Sequence, residues 1–314
     1  MKIFYSKTLL TIALSCLIYI TNAQNYRLEA GVNLGASNYL GDIGGKYLQR
    51  RDGIVDIKMR MTKPMVGIYG KYAIGPRYGM RMGFSMGQIA GDDRYTSNPE
   101  RNDRNQNFRN TIFEVSITNE YEFYEAYNVG KNSRYRLDYN MYLILGGGFF
   151  MHNPQGKYQG TWYDLQPLRT NRETYSLSGI SVIGGFGMDF TLKRNYKIGF
   201  RFTTMLTNTD YLDDISGPYK SINDFQTNGQ FTSKEDQLAY QIMDQRRQDN
   251  EIPSGGPQGG DPRGNPNNKD SYLFASFNFA YVFKGKGGKY NRAFHNGYVR
   301  KRGGRVKVQR FFAF

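Results

Sequence analysis

The chain has 314 residues and carries 42 Lys and Arg against 27 Asp and Glu, a formal net charge of +15. Ten of the basic residues lie between positions 284 and 310, where no Asp or Glu occurs, so the excess charge is local and does not indicate a generally basic domain. The single Cys, Cys16, excludes a disulfide framework and a metal site built from several Cys ligands.

Residues 1–23 have the pattern of a secretory signal peptide. Two lysines precede the apolar run Leu9–Ile20, and small or polar residues lead to a predicted cleavage after Ala23. The run is too short to be retained as a membrane-spanning helix. Lipidation of Cys16 is an alternative, but Ala13 stands where a lipobox prefers Leu. We therefore predict an exported mature chain without Cys.

Eight segments of the mature chain alternate apolar and polar residues with period two, which is typical of a β-strand between two environments. In YGMRMGFSMG, for example, Tyr78, Met80 and Met82 share one parity and Arg81 lies on the other. Each segment is long enough for a tilted strand to cross a hydrocarbon layer. The predicted strands are Tyr26–Ser37, Met65–Ile74, Tyr78–Gly87, Ile112–Phe123, Leu137–Phe150, Ser178–Leu192, Tyr196–Leu206 and Leu273–Phe283.

The connections between these strands alternate between short and long, as in outer-membrane barrels with short periplasmic turns and long external loops. The long ones are Gly41–Lys63, Ile89–Arg109, His152–Thr174 and Asn208–Asp270. We therefore predict an all-β fold over residues 24–283, an eight-stranded antiparallel transmembrane β-barrel in the cell outer membrane. Both termini are then expected in the periplasm, and residues 208–270 form the longest external loop.

A soluble β-sandwich or lipocalin-like barrel is the alternative, because its strands also alternate apolar and polar residues. Its apolar face would point inward, and periodicity alone does not distinguish the two orientations. Three features favour the membrane: the signal peptide, the loop asymmetry, and the Tyr and Phe residues at many strand ends, where aromatic girdles belong.

An eight-stranded barrel is just wide enough for its own side chains to fill the lumen, so we do not expect a pore. Charges on the predicted inward face are close to balanced, and we expect them to pair and to fill a polar core. They are Arg27, Glu29, Arg81, Glu114, Glu120, Glu122, Asp138, Asp189, Lys197 and Arg201.

Catalytic groups are scarce. His152 and His295 are the two histidines, one at a predicted strand end and one in the tail. A nucleophile and base inside the membrane face would have to be built on His152 alone, and an interfacial loop position is the plainer interpretation. We therefore predict no enzyme activity, no catalytic residues and no cofactor.

The longest loop opens with TNTDYLDDISGPY. Asp210, Asp213 and Asp214 are close enough in sequence to share a hard cation such as Ca²⁺, but the spacing is not that of an EF-hand. We expect solvated carboxylates, or carboxylates paired with basic loop residues, and predict no metal site. Further on, TSKEDQLAYQIMDQRRQ predicts a short external helix.

The basic tail, residues 284–314, resembles a nucleic-acid arm, but the predicted topology places it in the periplasm, which argues against nucleic acid. Acidic faces of a periplasmic protein, or lipid phosphates, are the expected partners. Its glycines indicate an arm that orders on contact. The predicted partner-binding residues are Lys284, Lys286, Lys289, Arg292, Arg300, Lys301, Arg302, Arg305, Lys307 and Arg310.

Three stretches carry a family resemblance: GASNYLGDIGG after the first predicted strand, TNTDYLDDISGPY after the seventh, and RGNPNNKDSYLFASFNFAYVF at the last. They resemble PorG-type outer-membrane barrels of the Bacteroidetes type IX secretion and gliding machinery. The resemblance spans roughly residues 26–283, but the long loop and the basic tail depart from it. It implies an outer-membrane component that contacts a periplasmic ring lipoprotein and its partner protein, and it implies no catalytic residues.

Two functions are therefore compared. The first is a non-enzymatic component of a type IX secretion or gliding complex, which contacts a periplasmic ring through its turns and tail and otherwise meets outer-membrane lipid. The second is a surface barrel that binds a ligand or host partner through its external loops, since binding residues concentrate on loops held by a rigid scaffold.

Overall fold

The structure is a computed structural model that describes residues 27–43, 59–75, 77–96, 98–126, 137–192, 195–246, 259–261, 263–266 and 268–284. The strands are β1 Arg27–Leu40, β2 Lys63–Ala73, β3 Tyr78–Asp92, β4 Asn107–Ala126, β5 Leu137–Tyr158, β6 Thr161–Asp164, β7 Ser178–Leu192, β8 Tyr196–Thr207, β9 Gln226–Thr227, β10 Gln230–Phe231 and β11 Ser271–Lys284. The helices are Pro99–Arg104, Leu165–Leu168 and Lys234–Met243, with 3₁₀ turns at Met59–Met61, Asp93–Tyr95 and Ile222–Phe225.

Eight of these strands close into an antiparallel barrel. The hydrogen-bonded order runs β1, β2, β3, β4, β5, β7, β8 and β11, and β11 pairs with β1 to close the ring. The strand β6 forms a hairpin with the end of β5, and β9 pairs with β10 inside the longest loop. The predicted eight-stranded barrel is therefore confirmed.

The barrel wall exposes its apolar side chains and buries its charged ones. Ile68, Met82, Leu145 and Ile180 are each at least 60% exposed, whereas Glu120 on the other parity is 1% exposed. A soluble barrel would show the reverse distribution. The outward apolar band is that of an outer-membrane barrel, in which lipid replaces water around the wall.

The two ends of the barrel differ. Residues 41–62, 93–106, 159–177 and 208–270 connect strands at one end, called here the long-loop end. Residues 74–77, 127–136 and 193–195, together with the start of β1 and the end of β11, lie at the other, called the short-turn end. This matches the predicted alternation of connections.

Several strands continue beyond their predicted ends. The ladder between β4 and β5 extends to the pair Phe108 and Gly156, so the predicted loops at Ile89–Arg109 and His152–Thr174 were too long. Outward side chains change there from apolar to polar, as at Arg109 and Gln155. The pattern of outward apolar side chains, which predicts a lipid-facing strand, ends at that level, whereas the backbone pairing between the strands continues.

Below the long loops an apolar cluster closes the lumen. It combines inward side chains of the strands with side chains of the loops, and its members are Tyr39, Ile43, Met65, Ile89, Phe108, Ile112, Phe150, Ile183, Met205, Leu212, Ile215, Tyr272 and Phe274. We call the described loop residues that pack over this cluster the cap.

The predicted loop helix is confirmed at Lys234–Met243. Ser233 accepts a hydrogen bond from the Asp236 backbone at its N-terminus. Met243 is buried with Tyr219, Phe225 and Ala239 in a second apolar cluster inside the longest loop. Within the described ranges, no helix is long and apolar enough to cross a membrane.

Candidate functional site

The lumen contains a network of buried ion pairs centred on Glu120 of β4. Its carboxylate lies 2.8 Å from Lys71 Nζ and 3.7 Å from Arg81 Nη1, and it also pairs with Arg201. These cations belong to β2, β3 and β8, so one carboxylate connects four strands across the lumen. Removal of one partner from such a network leaves an uncompensated buried charge.

A second group of polar contacts lies beside the first. Lys197 Nζ is 2.5 Å from Glu29 and 4.0 Å from Asp189, which links β8 to β1 and β7. The Tyr272 hydroxyl donates to Glu114 Oε2 at 2.5 Å. Opposite charges and hydroxyl groups therefore satisfy the carboxylates of the lumen.

Little open space is left among these side chains. The cavity between them, lined in part by Asn33, Arg81 and Glu114, measures about 30 Å³, which is room for about one water molecule. Side chains therefore fill the lumen at the level of these residues.

The sequence identified most of this network. Glu29, Arg81, Glu114, Glu120, Asp189, Lys197 and Arg201 are buried as expected. Glu122 and Asp138 are only partly buried, and the Arg27 side chain lies outside the described part of the structure.

The sequence analysis missed Lys71, which is 3% exposed and pairs with Glu120 and Glu122. The signal was available, because Lys71 has the parity opposite to the outward Ile68 and Tyr72. A lysine beside the predicted turn was not counted as an interior charge.

In the cap, one hydroxyl lies between two buried carboxylates. Tyr39 Oη is 2.6 Å from Asp213 Oδ2 and 2.6 Å from Asp270 Oδ1, and it accepts a hydrogen bond from the Asp42 backbone at 3.1 Å. A phenol has one hydrogen to donate, so both short contacts are hydrogen bonds only when one carboxylate carries a proton. We call Tyr39, Asp213 and Asp270 the cap triad.

The protonation of the cap triad follows from burial. Burial and the nearby Asp42 charge raise the pKa of Asp213 to about 7. Burial and the Asp213 charge raise the pKa of Asp270 well above its usual range. A proton shared by two carboxylates that cannot both ionise is the ordinary result of such proximity.

The two arginines Arg104 and Arg263 join the loops around the triad. Arg104 Nε donates to Asp93 at 2.8 Å, and its other nitrogens donate to the carbonyl oxygens of Arg263 at 2.5 Å and Asp42 at 2.9 Å. Arg263 in turn donates to Asn171. Buried side chains thus connect all four long loops, residues 41–62, 93–106, 159–177 and 208–270.

The expectation of solvated loop carboxylates was wrong. Asp210, Asp213 and Asp214 are each at most 2% exposed. Asp214 accepts from the hydroxyls of Thr170 and Tyr175, whereas Asp213 faces Tyr39. Among the described residues, no group of three or more His, Cys, Asp or Glu side chains is placed to hold a metal ion.

His152 lies within β5 and not in a loop as predicted. Its ring is buried, and Nδ1 is 3.1 Å from the Asn110 amide nitrogen. The strand continues past it, because the ladder with β4 extends to Gly156. The absence of enzyme activity stays a prediction.

The predicted partner-binding residues fall almost entirely outside the described part of the chain. Lys284, assigned to the tail, is the last residue of β11 and pairs in register with Arg27 of β1. Lys286, Lys289, Arg292, Arg300, Lys301, Arg302, Arg305, Lys307 and Arg310 lie outside the described residues.

The three stretches that carry the family resemblance converge in the cap. Tyr39 belongs to GASNYLGDIGG, Asp213 to TNTDYLDDISGPY and Asp270 to the stretch that enters β11. The resemblance therefore rests in part on residues that meet in the cap.

A family model described as "Domain of unknown function (DUF6089)" matches residues 6–240. No curated protein matches the chain. Among solved structures, Ail, the attachment invasion locus protein of Yersinia pestis, in complex with the heparin analogue sucrose octasulfate, is 11% identical over 82% of this chain and 99% of its own, with a TM-score of 0.33. Neisserial surface protein A is 7% identical over 83% of this chain and 98% of its own, with a TM-score of 0.31. The strand pairing, and not these likenesses, establishes the fold.

Proposed function

We propose a scaffolding function for this chain, which belongs to the DUF6089 family. In this proposal it is a non-enzymatic outer-membrane component of a type IX protein secretion and gliding complex. Its short-turn end faces the periplasm, where its turns and basic tail bind a ring lipoprotein and that lipoprotein's partner protein. Its long loops face the outside of the cell.

The observation that carries this proposal is the pairing of Arg27 with Lys284 at the short-turn end. The chain enters and leaves the barrel side by side, so the basic segment starts at a fixed point beside the short turns. A basic segment that starts at a fixed position on the barrel is suited to bind an acidic surface of a periplasmic protein.

The filled lumen favours a structural role for the barrel over a role as a transport channel. The Glu120 network crosses the barrel, and the cap closes the long-loop end, so transport through this wall would require many buried ion pairs to separate. The resemblance to PorG-type barrels supplies the particular machinery and the expected partners.

The test compares the full-length protein with two tail variants, expressed at the native level. One variant lacks residues 285–314, and the other carries Gln at the nine basic positions from Lys286 to Arg310. We expect both barrels to reach the outer membrane folded, as shown by heat-modifiable migration on gels. Crosslinking and affinity purification should then show loss of the periplasmic partner and reduced secretion.

A third variant, in which Lys and Arg exchange places within the tail, keeps the charge and should retain the partner. Wild-type retention by the Gln variant would contradict a charge-based arm. A barrel whose deletion leaves secretion intact but abolishes binding of a ligand or host partner would overturn the proposal in favour of the surface-binding alternative.

A further inference from the structure

The outer surface of the wall carries a groove at the long-loop end of β4 and β5. It measures about 620 Å³ and is lined by outward residues of β4 and β5 and by residues just before and at the start of β7. The apolar side chains Phe113, Met151 and Leu177 form its lower part. Phe113 and Met151 are register partners and belong to the exposed apolar band. The groove is therefore continuous with the lipid-facing surface.

The upper part of the groove is polar. Thr111, Asn153 and Gln155 line it, at the level where the outward side chains change from apolar to polar. This change marks the boundary between hydrocarbon and headgroups, because hydroxyl and amide groups are costly in the hydrocarbon layer.

Two cations and one indole lie just above the groove. Arg109 Cζ is 4.3 Å from the centre of the Trp162 ring, and Lys157 Nζ is 5.9 Å from it. Arg109 Nε donates to Gln155 Oε1 at 2.7 Å, which fixes the guanidinium to a residue of the groove wall. Trp162 reaches this place because β6 pairs with the end of β5 and lengthens the wall. Indole rings and basic side chains are the usual residues of a membrane interface.

The cations have no carboxylate partner here. Neither Arg109 nor Lys157 forms an ion pair within the described residues, although Asp164 lies on β6 nearby. The Asp164 carboxylate instead accepts hydrogen bonds from the amides of Asn153 at 3.0 Å and Gln155 at 2.7 Å. The guanidinium therefore keeps donors available for a ligand that carries negative charge.

We propose that this groove binds a phosphate-bearing lipid of the leaflet at the long-loop end. Its acyl chain lies against Phe113, Met151 and Leu177, and its phosphate is bound by Arg109 and Lys157. An apolar trough that opens onto the lipid-facing band, with unpaired cations at headgroup height, is complementary in both polarity and charge to such a lipid. The site is separate from the short-turn end and does not depend on the proposed scaffolding function.

The test measures lipid retention by the full-length protein, purified in mild detergent and examined by native mass spectrometry. The added probes are a lipid A preparation and the same preparation after phosphatase treatment. We expect the wild-type protein to retain the phosphorylated lipid about thirtyfold better than the treated one, since two basic residues near a charged membrane surface together contribute about 2 kcal/mol.

The double variant Arg109→Gln, Lys157→Gln should lose this preference. The matched control Arg60→Gln, Lys234→Gln removes the same charge from exposed residues away from the groove, and it should behave as wild type. Phe113→Ser should weaken both lipids equally. Heat-modifiable migration confirms that each variant is folded.

Equal retention of the two lipids by the wild-type protein would overturn the proposal. So would full competition by inorganic phosphate, because the site would then bind phosphate without the acyl chain. If the double variant and its matched control lost the preference for the phosphorylated lipid to the same extent, the preference would arise from net charge alone, and the groove would not be a binding site.

Discussion

The lumen of the barrel and the cap above it both bury carboxylates, but they compensate them differently. In the lumen, Glu120 is surrounded by Lys71, Arg81 and Arg201. In the cap, Asp213 and Asp270 share the hydroxyl of Tyr39 and a proton. Ion pairs hold over a wide range of pH, whereas a shared proton is lost when the pH rises. We therefore expect the cap contacts to depend more strongly on pH than the ion pairs of the lumen.

The largest expected effect comes from breaking the lumen network. Glu120→Gln leaves three cations around a neutral amide, and we expect a loss of about 3–5 kcal/mol in unfolding free energy. Urea titration of the barrel in detergent, followed by far-UV circular dichroism, measures this loss. The surface variant Glu173→Gln, whose side chain is 59% exposed, should cost less than about 1 kcal/mol. Equal costs for the two variants would contradict the central role of Glu120.

Removal of the shared hydroxyl tests the cap by itself. In Tyr39→Phe the two carboxylates of the triad lose their common donor, and the Asp42 amide loses its acceptor. We expect about 1.5–3 kcal/mol less protection of residues 208–270 in hydrogen exchange, with little change in the lower strands. Tyr211→Phe, which loses a bond to the exposed Glu173, is the matched control and should change protection by well under half as much. Uniform loss over the whole barrel would show that cap and wall are one cooperative unit.

A steric change in the lumen is expected to cost somewhat less. An added side chain at Gly187 would overlap the Tyr142 ring, whereas Gly184, on the outer face of the same strand, has open space. Gly187→Val should therefore destabilise the barrel by about 1–3 kcal/mol, and Gly184→Val should be close to neutral. Thermal unfolding of the paired variants distinguishes the inner from the outer face. A neutral Gly187→Val would contradict the close packing of the lumen.

The pH dependence is the smallest expected effect when it is measured over one pH unit. Because the pKa of Asp213 is raised to about 7, the folded cap holds a proton that the open cap releases above about pH 4. The contribution is fully present below pH 4 and is lost as the pH rises through 7. Hydrogen exchange in residues 208–270 should accelerate by up to about tenfold per pH unit between about pH 4 and 7, beyond the intrinsic pH effect, and should level off above pH 7.

The variant Asp213→Asn supplies the control for this pH dependence, because its amide does not titrate. Its exchange profile should be shallower than that of the wild type after the intrinsic correction, because Asp270 is then the one titrating carboxyl left in the triad. Strands that carry only ion pairs, such as β2 with Lys71, should show no added dependence in either protein. A slope in Asp213→Asn equal to that of the wild type would assign the titration to another group.

Most of the barrel could be predicted from the sequence, because the period of two is a local property of a strand. Loop order followed from the same segments, and the helix at Lys234–Met243 followed from its own start signals. Strand ends were less predictable. Beyond Phe113 and Met151 the outward side chains are no longer apolar, but β4 and β5 remain paired. For that reason His152 was predicted in a loop although it lies in β5.

The cap triad could not be predicted in the same way. Tyr39 meets Asp213 across 174 positions and Asp270 across 231 positions in the chain. The stretches around these residues carry the family resemblance. No local sequence pattern in them predicts which distant residue each one contacts. The carboxylates of TNTDYLDDISGPY were therefore expected in solvent or paired with basic loop residues.

The sequence by itself determined eight alternating strands, the rhythm of their connections, and the charge of the tail. The period of two alone did not determine which face of the strands points inward, because a soluble and a membrane barrel share it. The signal peptide, the loop asymmetry and the aromatic strand ends were needed to place the charged face inward. Only ring closure decided that Glu120 faces three cations and that Tyr39 lies between two carboxylates. Those contacts depend on the register of distant strands, which becomes fixed when the sheet closes on itself.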